Sequence, residues 1–292
     1  MIKPNIGIVG LGMVGTPLFR YFLESGWKRG KNLFCFDKAK KEYSDNLKKT
    51  KIVFVCVPTP VQKDGSCDTS IVEEVIKTHK DKNKVFVIKS TVEPGTAQKL
   101  QDKYKIPVLF SPEFLTEANA WNDFINPDRQ VVAHGASSKK HAKNIIKILP
   151  KSDFDIFDIH STEAELGKYA SNVFGALKVV YSNIIADFAE ALSARYGKVQ
   201  DVFTSDKRIG KSWTNVLHGD YRGYGGYCFP KDADALIALG KKLGVKGTKV
   251  LKAMRDYNEE LLKSQGLDSK IVSSHDKELK RILKKLKRYN KK

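Results

Sequence analysis

Short apolar runs alternate with polar, turn-rich segments along the first half of the chain. Four runs are rich in β-branched and aromatic side chains: residues 6–9, 32–36, 52–57 and 85–88. Continuous apolar runs of this length are typical of strands that helices cover on both faces. The pattern also predicts strands at 108–110 and 128–133 and helices at 17–23 and about 70–80. These elements predict an α/β fold, with an N-terminal Rossmann domain built on a doubly wound parallel sheet.

The periodicity becomes helical beyond residue 158. Apolar residues recur at helical spacing from Thr162 to about Ala194, which predicts a helix about 50 Å long, suited to a spine between domains or a dimer interface. Thr162 can cap this helix while Glu165 reaches back to its amide. A further helix is predicted from Asp232 to about Leu243. The predicted domains are a Rossmann domain at 1–158, an all-helical central domain at 159–262 and a basic tail at 263–292.

A glycine-rich turn follows the first predicted strand and leads into a helix with the sequence GxGxxG. In such a turn the first glycine permits the bend, the second lets the backbone approach a pyrophosphate, and the third lets helix and strand pack closely. The alternative is a Rossmann unit that binds no cofactor. We expect a dinucleotide to contact Gly10, Gly12, Met13, Val14 and Gly15.

An acidic residue, Asp37, ends the second predicted strand, twenty-two residues after Gly15. At this position a carboxylate can accept hydrogen bonds from a ribose 2′-hydroxyl. Lys38 could attract the 2′-phosphate of NADP, but the carboxylate beside it repels that group. The two residues together favour NAD over NADP as the cofactor.

A cysteine follows a second glycine-rich loop, in the run Gly223-Tyr224-Gly225-Gly226-Tyr227-Cys228-Phe229-Pro230-Lys231-Asp232. Proline favours the first turn of a helix, and a helix N-terminus beside Lys231 favours a thiolate over a thiol. Cys228 can therefore be an activated nucleophile. It can equally be a small buried hydrophobe, which is the commoner role of a lone cysteine. This run by itself does not decide between the two.

The four cysteines, Cys35, Cys56, Cys67 and Cys228, lack the spacing of metal ligands, so we expect neither a metal site nor a disulfide framework. No apolar run has the length of a membrane span, and the first strand begins too early to leave room for a signal peptide. The expected location is the cytoplasm.

The formal net charge of +19 is unevenly distributed, because residues 263–292 contain 11 Lys and Arg against 3 Asp and Glu. Their apolar stripe, Leu279, Ile282, Leu283 and Leu286, predicts an amphipathic basic helix that packs on the protein body. Contact with a membrane or with nucleic acid is the less favoured alternative. The moderate excess of basic residues elsewhere suits polyanionic ligands such as dinucleotides and nucleotide sugars, or reflects a lysine-rich composition alone.

Six separated motifs occur in one order along residues 5–262. They are GxGxxG, Val57-Pro58-Thr59-Pro60, Ser90 to Thr96, Ser111 to Glu117, Glu163 to Asn172, and the run around Cys228. In this order and spacing the chain resembles the UDP-glucose/GDP-mannose dehydrogenase family. The resemblance implies a four-electron oxidation of the C6 alcohol of a nucleotide sugar to a carboxylate, with two NAD per turnover and no metal.

The resemblance also implies roles for individual residues. Cys228 matches the nucleophile that forms a thiohemiacetal and then a thioester, and Asp232 matches the carboxylate that handles protons and water. Lys168 and Asn172, one helical turn apart, match the pair that stabilises an oxyanion. Glu113 and Glu117 match two acids beside the substrate, on one helix face if a helix begins at 113, with Glu117 as the candidate general base. Without this match, each pair would be taken as solvated side chains on a helix surface.

Binding residues follow from the same match. Thr91 matches a threonine near the nicotinamide and the catalytic water, and the implied cofactor contacts beyond the glycine turn are Asp37, Lys38, Pro58, Thr59, Thr91 and Glu117. The implied substrate contacts are Glu113, Phe114, Leu115, Lys168, Asn172, Arg208, Tyr224, Gly225 and Lys231, with the loop from Tyr224 to Tyr227 contributing its backbone.

The chain departs from this family after Leu262, where members continue into a second Rossmann-like domain that binds the nucleotide. Three interpretations follow. One is an active nucleotide-sugar dehydrogenase, a homodimer through the long helix, with the tail or a separate subunit replacing the lost contacts and UDP-glucose as the expected substrate. Another is a β-hydroxyacid-type dehydrogenase with a single two-electron step, against which Cys228 argues. The third is a non-catalytic protein that binds NAD or a nucleotide sugar.

Overall fold

The computed structural model describes residues 3–116, 119–218 and 220–273. Its strands are β1 Ile6–Val9, β2 Leu33–Phe36, β3 Ile52–Val55, β4 Val85–Ile88, β5 Val108–Phe110, β6 Arg129–Val131, β7 Ala133–His134, β8 Phe154–Ile156, β9 Leu217–His218 and β10 Tyr221–Arg222. Its helices are α1 Gly15–Glu24, α2 Ser70–His79, α3 Thr96–Tyr104, α4 Ala120–Ile125, α5 Lys139–Ile146, α6 Ser161–Ala191, α7 Tyr196–Thr204, α8 Cys228–Lys242, α9 Thr248–Lys263 and α10 Ser269–Ser273.

The main sheet has six strands in the order β2-β1-β3-β4-β5-β7. The first five are parallel, and β7 pairs antiparallel with β5. The strand predicted at 128–133 is divided in two, because β6 pairs with β8 in a separate sheet and only β7 joins the main one. The predicted Rossmann sheet is otherwise confirmed, with β1 next to β3 and the loops at their carboxyl ends available for ligands.

Alternate residues of each strand enter two different hydrophobic clusters. On β3, Phe54 belongs to one cluster, while Val53 and Val55 belong to the other. On β4 the same alternation separates Val87 from Phe86. Because both faces of each strand are buried, the sequence shows continuous apolar runs in place of an apolar and polar alternation.

The chain forms two compact units that divide inside α6, between Lys168 and Tyr169, and the segment Val61–Ser66 belongs to the second unit. The second unit is helical in its described part apart from the short β9–β10 hairpin. Its core includes Val173 and Val180 of α6, Ala233 of α8 and Met254 of α9. The long helix is therefore confirmed, with 31 residues at Ser161–Ala191.

The predicted cap of the long helix is wrong. Glu163, and not Glu165, reaches back to the start of the helix, where its Oε2 accepts a hydrogen bond from the His160 N–H at 2.8 Å. Glu165 is fully buried and its carboxylate bonds to Gly95 and Ala97 at the start of α3. A long-range partner has replaced the local one.

Within residues 3–116, 119–218 and 220–273, no helix is both long enough and apolar enough to cross a membrane. The apolar stripe predicted in the tail, from Leu279 to Leu286, lies outside the described residues.

Candidate functional site

The glycine turn has the geometry that its sequence predicts. Gly10 has a φ of +90°, and a Cβ there would lie 2.6 Å from the carbonyl oxygen of Cys56, which directly follows the neighbouring strand β3. A Cβ on Gly15 would lie 1.8 Å from the Gly10 carbonyl oxygen, whereas one on Gly12 would meet no atom within 4 Å. The first and third positions therefore require glycine for packing. The second leaves open space beside the backbone, as an approaching pyrophosphate needs.

Asp37 lies directly after β2 and is tied to this turn. Its Oδ2 accepts from the Leu11 N–H at 2.6 Å and its Oδ1 from the Ala39 N–H at 2.9 Å. Burial alone would raise the pKa of Asp37, but these hydrogen bonds and the charge of Lys40 outweigh it and lower this pKa. An ionised carboxylate is thereby held beside the glycine turn, where it can accept from ribose hydroxyls.

Two lysines close to Asp37 have different surroundings. Lys38 is exposed. Lys40, which the sequence interpretation missed, donates from Nζ to the Leu11 carbonyl oxygen at 2.6 Å.

Met13 and Val14 are partly buried at the end of the turn, and Val14 packs against the core. The turn and Asp37 together fit the pyrophosphate and ribose of NAD.

The loops that follow β3 and β4 are joined by hydrogen bonds. The Thr59 hydroxyl donates to the Thr91 carbonyl oxygen at 2.7 Å, and the Ser90 hydroxyl donates to the Val57 carbonyl oxygen at 2.6 Å. Thr59 is buried and Pro58 is exposed. The predicted cofactor residues Thr59 and Thr91 therefore lie together at the carboxyl ends of adjacent strands.

The loop after β5 differs from the prediction. Residues 111–116 are not helical, so Glu113 does not begin a helix, and α4 begins only at Ala120. The Glu113 carbonyl oxygen accepts from Lys168 Nζ at 2.5 Å, and its Oε2 accepts from the Leu115 N–H at 2.6 Å. The bond from Lys168 occupies the Glu113 carbonyl oxygen, which a helix beginning at this residue would use. Glu117, predicted as the general base, lies outside the described residues.

Lys168 and Glu113 form a buried ion pair in the first unit. Lys168 Nζ is 3.5 Å from Glu113 Oε1, and the two side chains are 3% and 11% exposed. The Phe114 ring also faces cations, with Arg129 at 3.7 Å and Lys168 at 5.1 Å from its centroid. The predicted oxyanion residue Lys168 is thus held against the β5 loop.

Lys89 is a functional candidate that the sequence interpretation missed, because it ends an apolar run without any motif of its own. It is 3% exposed at the end of β4 and donates to the Ser111 hydroxyl and the Pro112 carbonyl oxygen, both at 3.2 Å. Burial lowers its pKa to about 8, opposed by the nearby Cys56 and Glu113. It fixes the loop that positions Glu113.

In the second unit, Cys228 is the first residue of α8. The helix therefore begins earlier than the predicted Asp232, and Pro230 lies within its first turn, where its missing N–H costs no hydrogen bond. Cys228 is partly exposed, whereas the other three cysteines are buried, and none of the four, all among the described residues, forms a disulfide. Burial raises the pKa of both Cys35 and Cys56 to about 12, which makes them poor nucleophiles.

The first turn of α8 carries a buried polar cluster. Asp232 is fully buried, and its Oδ2 accepts from Asn172 Nδ2 while its Oδ1 accepts from Lys231 Nζ, each at 2.5 Å. Lys231 and Asn172 are 8% and 9% exposed. Next to this cluster the Phe229 ring packs on α6, where a Cβ on Gly175 would lie 2.7 Å from it. These contacts fix the start of the helix that bears Cys228.

The glycine-rich loop before Cys228 is held by α9. Asn258, which is fully buried and was missed from the sequence, accepts from the Tyr224 N–H at 2.8 Å and donates to its carbonyl oxygen at 3.1 Å. The Tyr224 side chain lies in the helical core at 2% exposure, so it does not face a ligand. Gly225 packs so closely that a Cβ would lie 2.2 Å from the Tyr221 hydroxyl. These contacts fix the backbone of the loop before Cys228.

Arg208 lies apart from these clusters in the described structure of the second unit. It follows α7, is exposed, and pairs with Asp206 at 2.6 Å. Its predicted contact with substrate stays a prediction.

The two clusters contain groups that suit covalent oxidation chemistry. The first unit offers a dinucleotide turn, a ribose acceptor and a buried ammonium. The second offers a partly exposed thiol beside a buried carboxylate, an ammonium and an amide. A thiol can trap a carbonyl, and carboxylate, ammonium and amide groups can move protons and stabilise an oxyanion.

Comparison with known proteins finds two matching domains of one family. Residues 29–151 match the NAD binding domain of the UDP-glucose/GDP-mannose dehydrogenase family, and residues 162–260 match its central domain. The two matches lie within the first and second predicted domains and together span most of residues 29–260.

Individual relatives agree with this match. UDP-glucose 6-dehydrogenase TuaD of Bacillus subtilis (strain 168) is 33% identical over 225 residues, 73% of this chain and 47% of the relative. UDP-glucose 6-dehydrogenase of Rickettsia bellii is 35% identical over 249 residues, 82% of this chain and 55% of the relative. The structure of a UDP-glucose dehydrogenase from Pyrobaculum islandicum aligns with a TM-score of 0.78 at 26% identity, covering 90% of this chain and 70% of that one. The chain spans about half the length of the curated relatives it matches.

Proposed function

Because the chain belongs to the UDP-glucose/GDP-mannose dehydrogenase family, we propose that it oxidises the C6 alcohol of a nucleotide sugar, UDP-glucose first among them, to the carboxylate. The observation that carries this proposal is the buried cluster of Asn172, Lys231 and Asp232 on the turn where Cys228 begins α8. A buried carboxylate held by two donors beside a partly exposed thiol is suited to covalent chemistry and has no evident use in a simple binding protein.

The proposed reaction has four bond-changing steps. The C6 alcohol loses a hydride and a proton and becomes an aldehyde. The Cys228 thiolate then adds to the carbonyl carbon while the carbonyl oxygen takes up a proton, which gives a thiohemiacetal. Loss of a second hydride and a proton leaves a thioester on Cys228. Water adds to the thioester, the C–S bond breaks, and the carboxylate and the thiol are released. Gly10, Gly12 and Gly15 of the glycine turn, together with Asp37, would hold the NAD that would supply the hydride acceptor for both oxidations.

In this proposal Asp232 receives and returns protons at Cys228 and at the hydrolytic water. An amide nitrogen carries two N–H groups, so Asn172 retains a donor beyond the one given to Asp232 and can point it at a developing oxyanion. Lys168 supplies a buried positive charge for the same purpose. Glu117, as general base with Glu113 in support, and Thr91, beside the nicotinamide, complete the proposed machinery.

Substrate contacts are proposed on both units. The loop residues Glu113, Phe114 and Leu115 are partly buried after β5 and can contact the sugar. In the second unit the Gly225 backbone N–H, the Lys231 ammonium and the exposed Arg208 guanidinium offer donors to sugar hydroxyls or phosphates. The Tyr224 N–H already bonds to Asn258, so Tyr224 can offer only the second lone pair of its carbonyl oxygen to a sugar hydroxyl. The side chain of Tyr224 is excluded from this set by its place in the core.

The test measures NADH formation by the purified chain with a panel of UDP- and GDP-sugars, together with the mass of each product. Two NADH per sugar, and a product with the mass of the carboxylate, are expected. One NADH per sugar would instead support a single-step, hydroxyacid-type oxidation. NAD binding without NADH would support a non-catalytic protein or one that requires a separate subunit.

A homodimer through α6 is also proposed. In the second unit this helix exposes Phe174, Tyr181 and Phe188 at 59%, 55% and 62%. Their seven-residue spacing places them along one side of the helix, as in a helix–helix interface. Phe188 is the most exposed of the three, so Phe188→Glu is the sharpest probe. Light scattering should report a dimer for the wild-type chain and a monomer for this variant, and a dimer in both cases would contradict the proposal.

A further inference from the structure

Glu165 is a buried carboxylate that the proposed reaction does not use. It is fully buried within the first unit, and its Oε2 accepts from the Gly95 N–H at 2.6 Å while its Oε1 accepts from the Ala97 N–H at 2.9 Å. A carboxylate is taken out of water at a high free-energy cost unless its hydrogen bonds are replaced. Its position is therefore strongly determined by the two amides that it binds.

The two amides belong to the start of α3, which lacks a cap of its own. The residue before the helix is Gly95, which has a φ of +96° and no side chain to accept from the first N–H groups. Such groups need acceptors when they are buried, and a negative charge at this end of a helix also interacts favourably with the helix dipole. Glu165 supplies from α6 what the local sequence does not.

This contact defines one end of the loop that follows β4. At its other end, Ser90 bonds to Val57, and the Thr91 carbonyl oxygen accepts from Thr59. The loop from Thr91 to Gly95 thus lies between two anchors, one on the β3 loop and one on Glu165. Release of either anchor would let Thr91 change its position.

We propose that Glu165 is a positioning residue that holds the loop after β4 in the geometry that NAD requires. Lys168, three residues later and so on the same side of α6, holds the loop after β5 through the Glu113 carbonyl oxygen. One side of α6 thereby fixes two neighbouring loops at the carboxyl ends of the sheet. The inference rests on the proposed function only in placing Thr91 beside the nicotinamide.

Glu165→Gln tests this role with little change in side-chain size. The amide retains one acceptor oxygen and replaces the other by a group that donates, so one of the two N–H groups loses its partner. Glu163→Gln is the matched control, because it lies on the same helix two residues earlier and caps only the start of α6 through His160. Neither residue is proposed to touch NAD or substrate.

Two measurements at pH 8 read the effect in the folded protein. Amide hydrogen exchange without NAD should be faster in peptides covering residues 90–98 of Glu165→Gln, by roughly tenfold for one lost charged hydrogen bond. The dissociation constant of NAD should rise by about threefold to tenfold. Glu163→Gln should match the wild-type chain in both. Should Glu165→Gln not fold, Glu165→Asp keeps the charge, shortens the reach and gives the same comparison.

Unchanged exchange at residues 90–98 would overturn the assignment. Faster exchange with an unchanged NAD dissociation constant would overturn it as well, because Glu165 would then be structural alone. Neither readout requires turnover, so a wild-type chain that makes no carboxylate would count against the proposed function and not against Glu165.

Discussion

The two units use their polar side chains differently. In the first unit, charged side chains bond to the backbone of loops: Asp37 to Leu11, Lys168 to Glu113, and Glu165 to Gly95 and Ala97. In the second unit, Asn172, Asp232 and Lys231 bond to one another. The hydrogen bonds in the first unit fix the conformation of loops. Those in the second unit fix the position and the electrostatic surroundings of the polar side chains beside Cys228.

This difference predicts two classes of variant. A change among the loop-holding residues should act mainly on cofactor affinity and on local mobility, since these loops are the proposed cofactor site. A change in the cluster beside Cys228 should act mainly on the chemical steps, since it alters which group carries charge.

The largest effect is expected at Cys228. Cys228→Ser removes the thiolate and should reduce carboxylate formation by at least about 10³-fold, because a serine hydroxyl at its ordinary pKa is a weak nucleophile. Product analysis by mass spectrometry measures it. Cys35→Ser is the control, since its hydroxyl can keep the contact of Cys35 with Asp45 and should retain the wild-type rate. If Cys228→Ser formed carboxylate as fast as the wild-type chain, the thioester route would be excluded.

Asp232→Asn should lower kcat by about 10²-fold, because the residue no longer accepts a proton. It also removes the carboxylate charge that the buried Lys231 ammonium contacts, so the free energy of unfolding should fall by about 3 kcal/mol. Steady-state kinetics and urea unfolding measure the two effects. Asp234→Asn is the control, since its pair with Arg255 is one-third exposed and should contribute less than about 1 kcal/mol. If Asp232→Asn changed only the KM for NAD, the expected assignment of the chemical steps to this cluster would be wrong.

Glu165 should give the stability of the first unit a distinct pH dependence. Burial raises its pKa from 4.5 to about 7, so the folded protein binds this proton more tightly than the unfolded chain does. The resulting stabilisation is complete below about pH 4.5 and is lost as the pH rises through about 7, and it amounts to about 3 kcal/mol. Urea unfolding across this pH range should show this pH dependence in the wild-type chain and not in Glu165→Gln. If the difference in the free energy of unfolding between the two proteins did not change with pH, the prediction would be wrong.

The smallest effect is expected at Asp37. Asp37→Ala removes an acceptor of the ribose and of the Leu11 N–H, and the dissociation constant of NAD should rise roughly tenfold. The affinity for NADP should change less, because the repulsion of its 2′-phosphate is also removed. Calorimetry measures both, with the exposed Lys41→Ala as control. Equal losses for NAD and NADP would show that Asp37 does not select the cofactor.

Elements defined by neighbouring residues could be predicted from the sequence. The glycine turn follows from three glycines whose packing and φ requirements are local, and Asp37 follows from the end of its strand. The long helix follows from a periodicity sustained over 31 residues. The helix that bears Cys228 begins a few residues before its predicted start, because Pro230 is its third residue and does not precede it.

Elements defined by distant partners could not be predicted in this way. Glu165 fits a local cap by spacing, yet it bonds to amides about 70 residues earlier in the chain. Glu113 fits the start of a helix, but its carbonyl oxygen is taken by Lys168 from α6. Lys89 and Asn258 belong to no motif, and only the fold shows that they are buried and bonded to functional loops.

A covalent intermediate on Cys228 would form only by the thioester route, and it can be observed directly. The wild-type chain and Asp232→Asn are mixed with NAD and UDP-glucose, quenched with acid within one turnover, and digested for mass spectrometry. The peptide that contains Cys228 should gain the mass of the oxidised nucleotide sugar joined as a thioester, and more of it should accumulate in Asp232→Asn, in which hydrolysis is slower. Carboxylate formation while this peptide stays unmodified in both proteins would exclude the thioester route.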